Sequence, residues 1–473
     1  MLARRRFAYP KEPFVTTAFS SLPLDPALLD NIASLGYTQL TPIQAEALPH
    51  ILDGKDIIAQ AKTGSGKTAA FGIGLLSRID FSRFTVQALV ICPTRELADQ
   101  VCKELRLLAR FTQNVKILSL CGGVPSRPQI DSLGHGVHIV VGTPGRLQEH
   151  LRKGNLKLNR LQTLVLDEAD RMLDMGFSEA IADVISQTPK QRQTLLFSAT
   201  YSDPIRDISK RFQNQPISVS IDNNHHDSVI EQRFFHVDKA KRINALGYLL
   251  AYHRPESTVV FCNTKRECQD ISAALDNCGF SVQALHGDLE QKQRDQVLVR
   301  FANKSCSILV ATDVAARGLD IKDLQAVINY ELPWDPEIYV HRIGRTGRAG
   351  KQGLALSLCL ETEMERVKAV EEYLKITAKW DEVAPFQMNY QERFQPPMAT
   401  LWIDGGRKNK LRPGDILGAL TGEGGIPGSE IGKITIFDEQ AFVAIQQESI
   451  NAALAWLQKG KIKGRSFMVR KSK

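Results

Sequence analysis

Short runs of β-branched and other apolar residues recur up to residue 375, each followed by a helical pattern, and this alternation constrains the fold more than any other feature. The runs include Asp56-Ile57-Ile58-Ala59, Ala88-Leu89-Val90-Ile91, His138-Ile139-Val140-Val141, Thr163-Leu164-Val165-Leu166 and Thr194-Leu195-Leu196-Phe197. Strands apolar on both sides belong to parallel sheets covered on both faces, and a parallel crossover is long enough to hold the intervening helix. The polar, aperiodic stretch 222–228 interrupts the pattern, which restarts with Val259-Val260-Phe261-Cys262, Ile308-Leu309-Val310-Ala311 and Ala326-Val327-Ile328-Asn329. One sheet holding every strand would exceed the roughly ten at which open sheets curl or split. The stretch is therefore read as a linker between two α/β domains, 18–221 and 229–384.

A second break, 385–397, gathers Gln, Asn and Pro. Beyond it come Thr400-Leu401-Trp402-Ile403, a helix around 415–420, Ile434-Thr435-Ile436-Phe437, Phe442-Val443-Ala444-Ile445, a helix over 450–458, and Ser466-Phe467-Met468-Val469. That order, βαββαβ, predicts a small ferredoxin-like α+β domain over 398–473.

Charge is concentrated in the same region. The chain carries 60 Lys and Arg against 52 Asp and Glu, a formal +8. Residues 399–473 hold 12 basic and 7 acidic residues, a net +5, which leaves +3 for the much longer remainder. No apolar run reaches the roughly 20 residues that cross a bilayer, so a membrane partner is not expected. The basic start MLARRRFAYPKEPFV lacks an apolar core of the kind a secretory signal needs. Residues 1–17 are expected to be a disordered basic tail and the protein to be cytoplasmic. The eight cysteines form no CxxC pair and fall mostly in apolar runs, which reads as reduced core thiols rather than a zinc site or disulfide framework.

The octapeptide Ala61-Lys62-Thr63-Gly64-Ser65-Gly66-Lys67-Thr68 follows a strand and opens a helix predicted over 68–79. In that context glycines let backbone N–H groups turn inward on phosphates, at the positive end of the helix. Lys67 is placed on the β- and γ-phosphates of ATP and Thr68 on Mg2+; Ala61 stands where the strict signature has its first glycine. A second strand runs directly into Asp167-Glu168-Ala169-Asp170. Strand-end carboxylates serve a nucleotide site, one for the metal and one for the attacking water, although acidic residues also simply cap helices. Asp167 is assigned to Mg2+, largely through water, and Glu168 to water activation. In His341-Arg342-Ile343-Gly344-Arg345-Thr346-Gly347-Arg348 the arginines lie three apart, which predicts a shared helical face. Guanidinium groups stay ionised and bind phosphate bidentately, so Arg345 and Arg348 are read as fingers for the γ-phosphate, although such a charge run is as often a solvated face. The second half has no phosphate loop of its own, which predicts one ATP for the two halves.

The run Asp167-Glu168-Ala169-Asp170, with Ser198-Ala199-Thr200, Pro93-Thr94-Arg95-Glu96-Leu97 and Thr143-Pro144-Gly145-Arg146, resembles the DEAD-box ATP-dependent RNA helicases. Phe19 and Gly36-Tyr37-Thr38-Gln39-Leu40-Thr41-Pro42-Ile43-Gln44 resemble that family's adenine-sensing element. The resemblance implies two tandem RecA-like domains that close on ATP and RNA and couple RNA-stimulated ATP hydrolysis to local duplex unwinding. It implies ATP contacts from Phe19, Thr41, Gln44, Ala61, Lys62, Thr63, Gly64, Ser65, Gly66, Lys67 and Thr68, with Asp320 on the ribose. Coupling falls to Asp170, Ser198, Thr200 and His341. RNA contacts fall to Pro93, Thr94, Arg95, Glu96, Gly122, Gly123, Thr143, Pro144, Gly145 and Arg146 in the first half, and to Gln291, Arg294, Thr312, Asp313, Arg317 and Gly318 in the second.

The C-terminal segment, including Asp415-Ile416-Leu417-Gly418-Ala419-Leu420-Thr421, resembles the bacterial DbpA branch of the family, whose C-terminal module is associated with large-subunit ribosomal RNA. That implies ribosomal RNA and the assembling large subunit as partners of a monomeric chain. The third strand, Gln440-Ala441-Phe442-Val443-Ala444-Ile445, keeps only part of the aromatic pattern with which such folds stack bases, so the stacking platform reads as degraded. Basic residues flank the fold instead, and Lys408, Lys410, Lys461 and Lys463 are the expected RNA contacts.

Overall fold

The apolar runs assemble into three sheets in the computed structural model, which describes residues 18–61, 64–221, 230–316, 324–347, 352–383, 395–422 and 424–472. The chain divides into two compact units near residue 224.

The first unit holds strands β1 (Ile57–Gln60), β2 (Ala88–Ile91), β3 (Ile117–Leu120), β4 (Ile139–Gly142), β5 (Thr163–Leu166), β6 (Gln193–Ser198) and β7 (Ile217–Ser220), all parallel in the order β3-β4-β2-β5-β6-β1-β7. Their alternation of side chains feeds two cores. Ala59, Val90, Val141, Val165 and Leu195 meet helices on one face, while Ile58, Leu89, Ile91, Val140 and Leu164 meet helices on the other. A sheet buried on both sides can use apolar residues at successive positions, and that is why these strands read as continuous runs.

The second unit repeats the design with β8 (Ile230–His236), β9 (Thr258–Cys262), β10 (Val282–Leu285), β11 (Ile308–Thr312), β12 (Ala326–Asn329), β13 (Gly353–Cys359) and β14 (Trp380–Asp381). Their order, β10-β11-β9-β12-β13-β8-β14, is the same permutation as in the first unit. The two halves are structural duplicates.

The same unit carries an antiparallel sheet of β15 (Met398–Ile403), β16 (Ile431–Ile436), β17 (Ala441–Gln446) and β18 (Val469–Lys471), ordered β16-β17-β15-β18, with helices Pro413–Thr421 and Ile450–Lys459. Leu401, Ile403, Val443 and Ile445 pack against Ile416, Leu420, Ala453 and Leu457, giving the ferredoxin-like layer expected. The last strand begins later than its apolar run suggests. Lys463 and Gly464, both with positive φ, turn the chain there, and Phe467 lies against Gly405 instead of extending the ladder.

This small domain is seated on the α/β half of its unit. Thr400, 2% exposed, accepts a hydrogen bond from Asn303 Nδ2 at 2.8 Å and shares one with the Ser305 hydroxyl, while Gln296 Nε2 donates to Ser472 Oγ at 2.8 Å. The eight cysteines are free thiols, seven of them buried, and no described helix is long and apolar enough to cross a membrane.

Candidate nucleotide and RNA site

Because the first sheet is parallel, the ends of its strands form one edge, and strand order divides that edge in two. The adjacent strands β1, β6 and β5 deliver the phosphate loop, Ser198-Ala199-Thr200 and the acidic run. The adjacent strands β2, β4 and β3 deliver Pro93 to Glu96, Thr143 to Arg146 and Gly122-Gly123. Open α/β sheets bind ligands at this carboxyl edge.

In the phosphate loop Ala61 is 3% exposed and its N–H donates to the Ser198 carbonyl at 3.0 Å, so it ends β1 inside the core and a methyl group is no obstacle there. Gly64 and Gly66 have φ of 87° and 96°, the left-handed region that favours glycine. The helix Lys67–Leu76 starts at the loop, and the Lys67 ammonium, 7% exposed, donates to the Ala61 carbonyl at 2.6 Å. Gln44 clasps the loop: its Nε2 donates to the Gly66 carbonyl at 3.1 Å and its Oε1 accepts the Thr41 N–H at 2.9 Å. Phe19 is buried beside Tyr37, with ring centroids 6.3 Å apart. Thr41 Oγ1, Ser65 Oγ and Ser198 Oγ are buried with no hydrogen-bond partner among the described residues. An unbonded buried hydroxyl costs about 1–3 kcal/mol, so this cluster fits a polar ligand such as ATP.

Behind the loop, burial pushes the Asp167 carboxyl up to about 7, against the lowering pull of Lys67 and with the raising push of Glu168. A desolvated carboxylate beside a second one is a place where added positive charge is favoured. Among the described residues no group of three or more His, Cys, Asp or Glu could hold a metal alone. Hydroxyl and carboxylate oxygens are the donors Mg2+ prefers, and Thr68 with Asp167 would fit it on that ground. Glu168 has φ of 52°, a strained value for a non-glycine residue and one that clusters at functional sites. Its Oε2 accepts from Arg171 Nη1 at 3.0 Å, both side chains being buried, a partner that sequence reasoning did not find. Asp170 Oδ2 accepts the N–H groups of Ala199 and Thr200 at 2.9 and 3.1 Å.

The other half of the edge offers helix starts and bare backbone. Thr94 Oγ1 caps the helix Arg95–Leu108 by accepting the Leu97 N–H, and Thr143 stands at the start of the helix Pro144–Arg152. A Cβ at Gly122 or Gly145 would meet nothing within 4 Å, so packing does not demand glycine there, and the exposed backbone is free to approach a phosphate. Arg95 pairs with Asp99, its Nη1 buried and without a hydrogen-bond partner among the described residues, and Arg146 donates to the Val124 carbonyl at 2.9 Å. Gly123 has φ of 73° beside them, and Pro93 is buried.

In the second unit Arg342 and Arg345 do not share a helical face. The helix Pro336–Ile343 stops before Arg345, and Thr346 turns into a bridge with Leu324. Arg342 is instead 1% exposed: it donates to both carboxylate oxygens of Asp313 at 2.7 Å, to Asn263 Oδ1 at 3.0 Å, to Asn329 Oδ1 at 3.2 Å and to the Glu331 carbonyl at 2.6 Å. It ties together the ends of β9, β11 and β12. Its place in the His341 to Arg348 run was the only signal of this role. Asp313 is thereby engaged within the protein. Arg345 is 7% exposed, His341 lies on the helix Pro336–Ile343 with Arg342, Thr312 ends β11, Gln291 donates to Asp295, and Arg294 donates to the Ala315 carbonyl at 2.7 Å. Lys62, Thr63, Arg317, Gly318, Asp320 and Arg348 lie outside the described residues, as do residues 1–17 and the stretch 222–228.

Of the four lysines expected to contact RNA, Lys408 is held by Glu439 at 2.7 Å and Lys463 lies 3.5 Å from Asp415, while Lys410 and Lys461 make no ion pair among the described residues.

Residues 41–208 match the DEAD/DEAH box helicase family, 241–350 the helicase conserved C-terminal domain and 400–471 the DbpA RNA binding domain. The chain is 56% identical over 455 residues to the ATP-dependent RNA helicase DbpA of Escherichia coli, covering 96% of this chain and 99% of that one. It is 45% identical over 387 residues to the ATP-dependent RNA helicase CshA of Listeria monocytogenes, covering 82% and 71%. Among solved structures, S. cerevisiae Dbp5 bound to RNA and ADP BeF3 aligns at a TM-score of 0.72 and 31% identity, over 77% of this chain and 96% of that one. Mss116p bound to ssRNA and AMP-PNP aligns at 0.72 and 28%, over 80% and 82%.

Proposed function

Because the chain belongs to the DEAD-box ATP-dependent RNA helicases, we propose that its RNA-dependent ATP hydrolysis drives local unwinding of large-subunit ribosomal RNA during assembly of that subunit, in the cytoplasm and as a monomer. Residues 18–221 and 229–384 form the motor and 398–473 choose the target. The observation that carries this reading is the separate basic domain, matched to the DbpA RNA binding domain and seated on the second half through Thr400.

The hydrolysis converts ATP and water to ADP and phosphate. Lys67 neutralises phosphate charge, the loop N–H groups orient the phosphates, and Glu168 accepts the proton of the attacking water. Magnesium, held by Thr68 and Asp167, supplies further positive charge at the phosphates when bound. Gln44 reports on the base through its bond to the loop. From the second half, Asp320 serves the ribose, His341 the acidic run, and Arg345 with Arg348 the charge that develops on the γ-phosphate. Asp170 connects the acidic run to Ala199 and Thr200, so the nucleotide state reaches the backbone beside it. RNA is gripped mainly through its phosphates at helix starts and glycines, which makes the motor tolerant of sequence.

The test is unwinding of one duplex attached either to a large-subunit ribosomal RNA fragment or to an unrelated hairpin of equal length. The full chain should unwind the first at least ten-fold faster at limiting protein. Equal rates would remove the target assignment and leave the helicase.

A further inference from the structure

The Gly122-Gly123 turn after β3 has little of its own to hold it. A Cβ at Gly122 would meet nothing within 4 Å, Gly123 has φ of 73°, and glycine has more backbone freedom than any other residue. What fixes the turn is its flanks. The Leu120 carbonyl accepts the Thr143 N–H at 3.1 Å and the Val124 carbonyl accepts Arg146 Nη2 at 2.9 Å, both from the start of the helix Pro144–Arg152. The Cys121 carbonyl, directly before Gly122, accepts Gln129 Nε2 at 3.1 Å.

Gln129 is buried on the helix Arg127–Gly134, and its second bond goes to the other helix: its Oε1 lies 2.9 Å from Nε2 of His150, which is 1% exposed. A carbonyl can only accept, so the bond to Cys121 fixes which end of the Gln129 amide is nitrogen. The oxygen left over fixes the ring, and His150 Nε2 carries the proton and donates. Nδ1 is then a bare lone pair, buried with no hydrogen-bond partner among the described residues. Burial, with Arg146 adding to it, holds the His150 pKa below the ordinary 6.5 and so keeps the ring in this neutral form.

His150 follows Arg146 by four residues and shares its face of the helix. One helix face therefore reaches both ends of the turn, at Val124 directly through Arg146 and at Cys121 through Gln129. Packing alone does not call for such a relay, since two apolar side chains would fill the same space without leaving a buried nitrogen unpaired. What the relay adds is a fixed backbone at the turn.

We propose that Gln129 and His150 are positioning residues for RNA, which hold the Gly122-Gly123 backbone in the shape that receives a phosphate. A turn already in that shape has no ordering left to do when RNA arrives, so the relay raises affinity without touching the ligand. The inference rests on Gly122, Gly123 and Thr143 to Arg146 being RNA contacts, and it names what holds them in one arrangement.

The test is ATP hydrolysis by the full chain at saturating ATP, titrated with a uridine homopolymer, which offers phosphates and no folded target. Gln129→Met keeps the bulk and loses both bonds, and His150→Asn places its amide where Nδ1 stands, out of reach of Gln129. Each should raise the RNA concentration for half-maximal hydrolysis about tenfold, the equivalent of ordering roughly one backbone residue, while turnover at saturating RNA and the KM for ATP stay near the parental values. His150→Gln, whose amide nitrogen is as many bonds from the backbone as Nε2, should restore the parental concentration. Gly122→Val tests the underlying contact, because φ there lies outside the left-handed region and the added side chain would project into open space. It should raise the same concentration at least as much. If it does not, the turn is no RNA contact and the relay falls with it. If Gly122→Val weakens RNA while Gln129→Met and His150→Asn keep the parental concentration, or if His150→Gln is as weak as His150→Asn, the relay alone is overturned.

Discussion

Asp170 Oδ2 accepts the Thr200 N–H at 3.1 Å, a bond between segments that leave the neighbouring strands β5 and β6. The same oxygen takes the Ala199 N–H, and Oδ1 takes that of Arg171. Asparagine cannot accept on both sides of its amide. Asp170→Asn should therefore lower the number of duplexes separated per ATP hydrolysed by several-fold, with less effect on hydrolysis itself. Parallel unwinding and phosphate-release assays measure that ratio.

Glu168→Gln keeps a partner for Arg171 but removes the proton acceptor. ATP and RNA binding should persist while turnover falls by about 10² to 10⁴. Lys67→Ala should abolish turnover by removing phosphate charge compensation. Saturating-RNA hydrolysis with separate nucleotide-binding titrations distinguishes the two.

Arg345→Ala and Arg348→Ala should each lower turnover by about 10³ with ATP affinity near the parental value, as expected of groups that act on transition-state charge. Unchanged turnover in both would return these arginines to structural roles.

Arg342→Lys exchanges a planar fork for a point charge and leaves Asp313, Asn263 and Asn329 short of donors in a buried setting. Loss of a buried ion-pair partner typically costs about 3–5 kcal/mol. Urea unfolding should show a transition of the second unit shifted by that order, with the first unit's transition in place.

His138 supplies a pH dependence. Its Nδ1 accepts the Lys116 N–H at 3.0 Å and Nε2 faces the Phe81 carbonyl at 3.2 Å, an arrangement that needs the neutral ring. Burial, with Lys116 adding to it, holds its pKa below the ordinary 6.5. The unfolded chain then binds the proton more readily than the folded one, so stability is full above about pH 6.5 and falls as pH drops below it. Thermal melts from pH 8 to pH 5 should show the decline, and His138→Gln, which can still accept and donate, should flatten it.

The segments gathered at the edge of the first sheet were legible because each is local: a strand end, a loop and a helix start written in successive residues, as in Ala61 to Thr68 and Leu166 to Asp170. The duplicate sheets were legible for the same reason, since doubly buried strands need apolar residues at every position. Arg342 was not, because its partners Asn263, Asp313 and Asn329 come from three strands far apart in the chain. The arginine spacing suggested a helical face, but the helix ends at Ile343 and the spacing loses its meaning beyond that point. The strands Thr400 to Ile403 and Phe442 to Ile445 could be found in the sequence, whereas the seat of Thr400 could not, because it depends on Asn303 and Ser305 roughly a hundred residues away.

The seat of Thr400 between Asn303 and Ser305 has one more consequence. A flexible tether sets a local concentration, and it serves any site its length can reach. A seated domain sets a distance. An RNA element held there is presented to the adjoining helicase half at one span, and a duplex becomes a substrate only when the fold of the RNA places a strand at the end of that span. On the proposed function the chain would then work as a caliper, in which the architecture of the RNA selects the helix to be opened as much as its bases do.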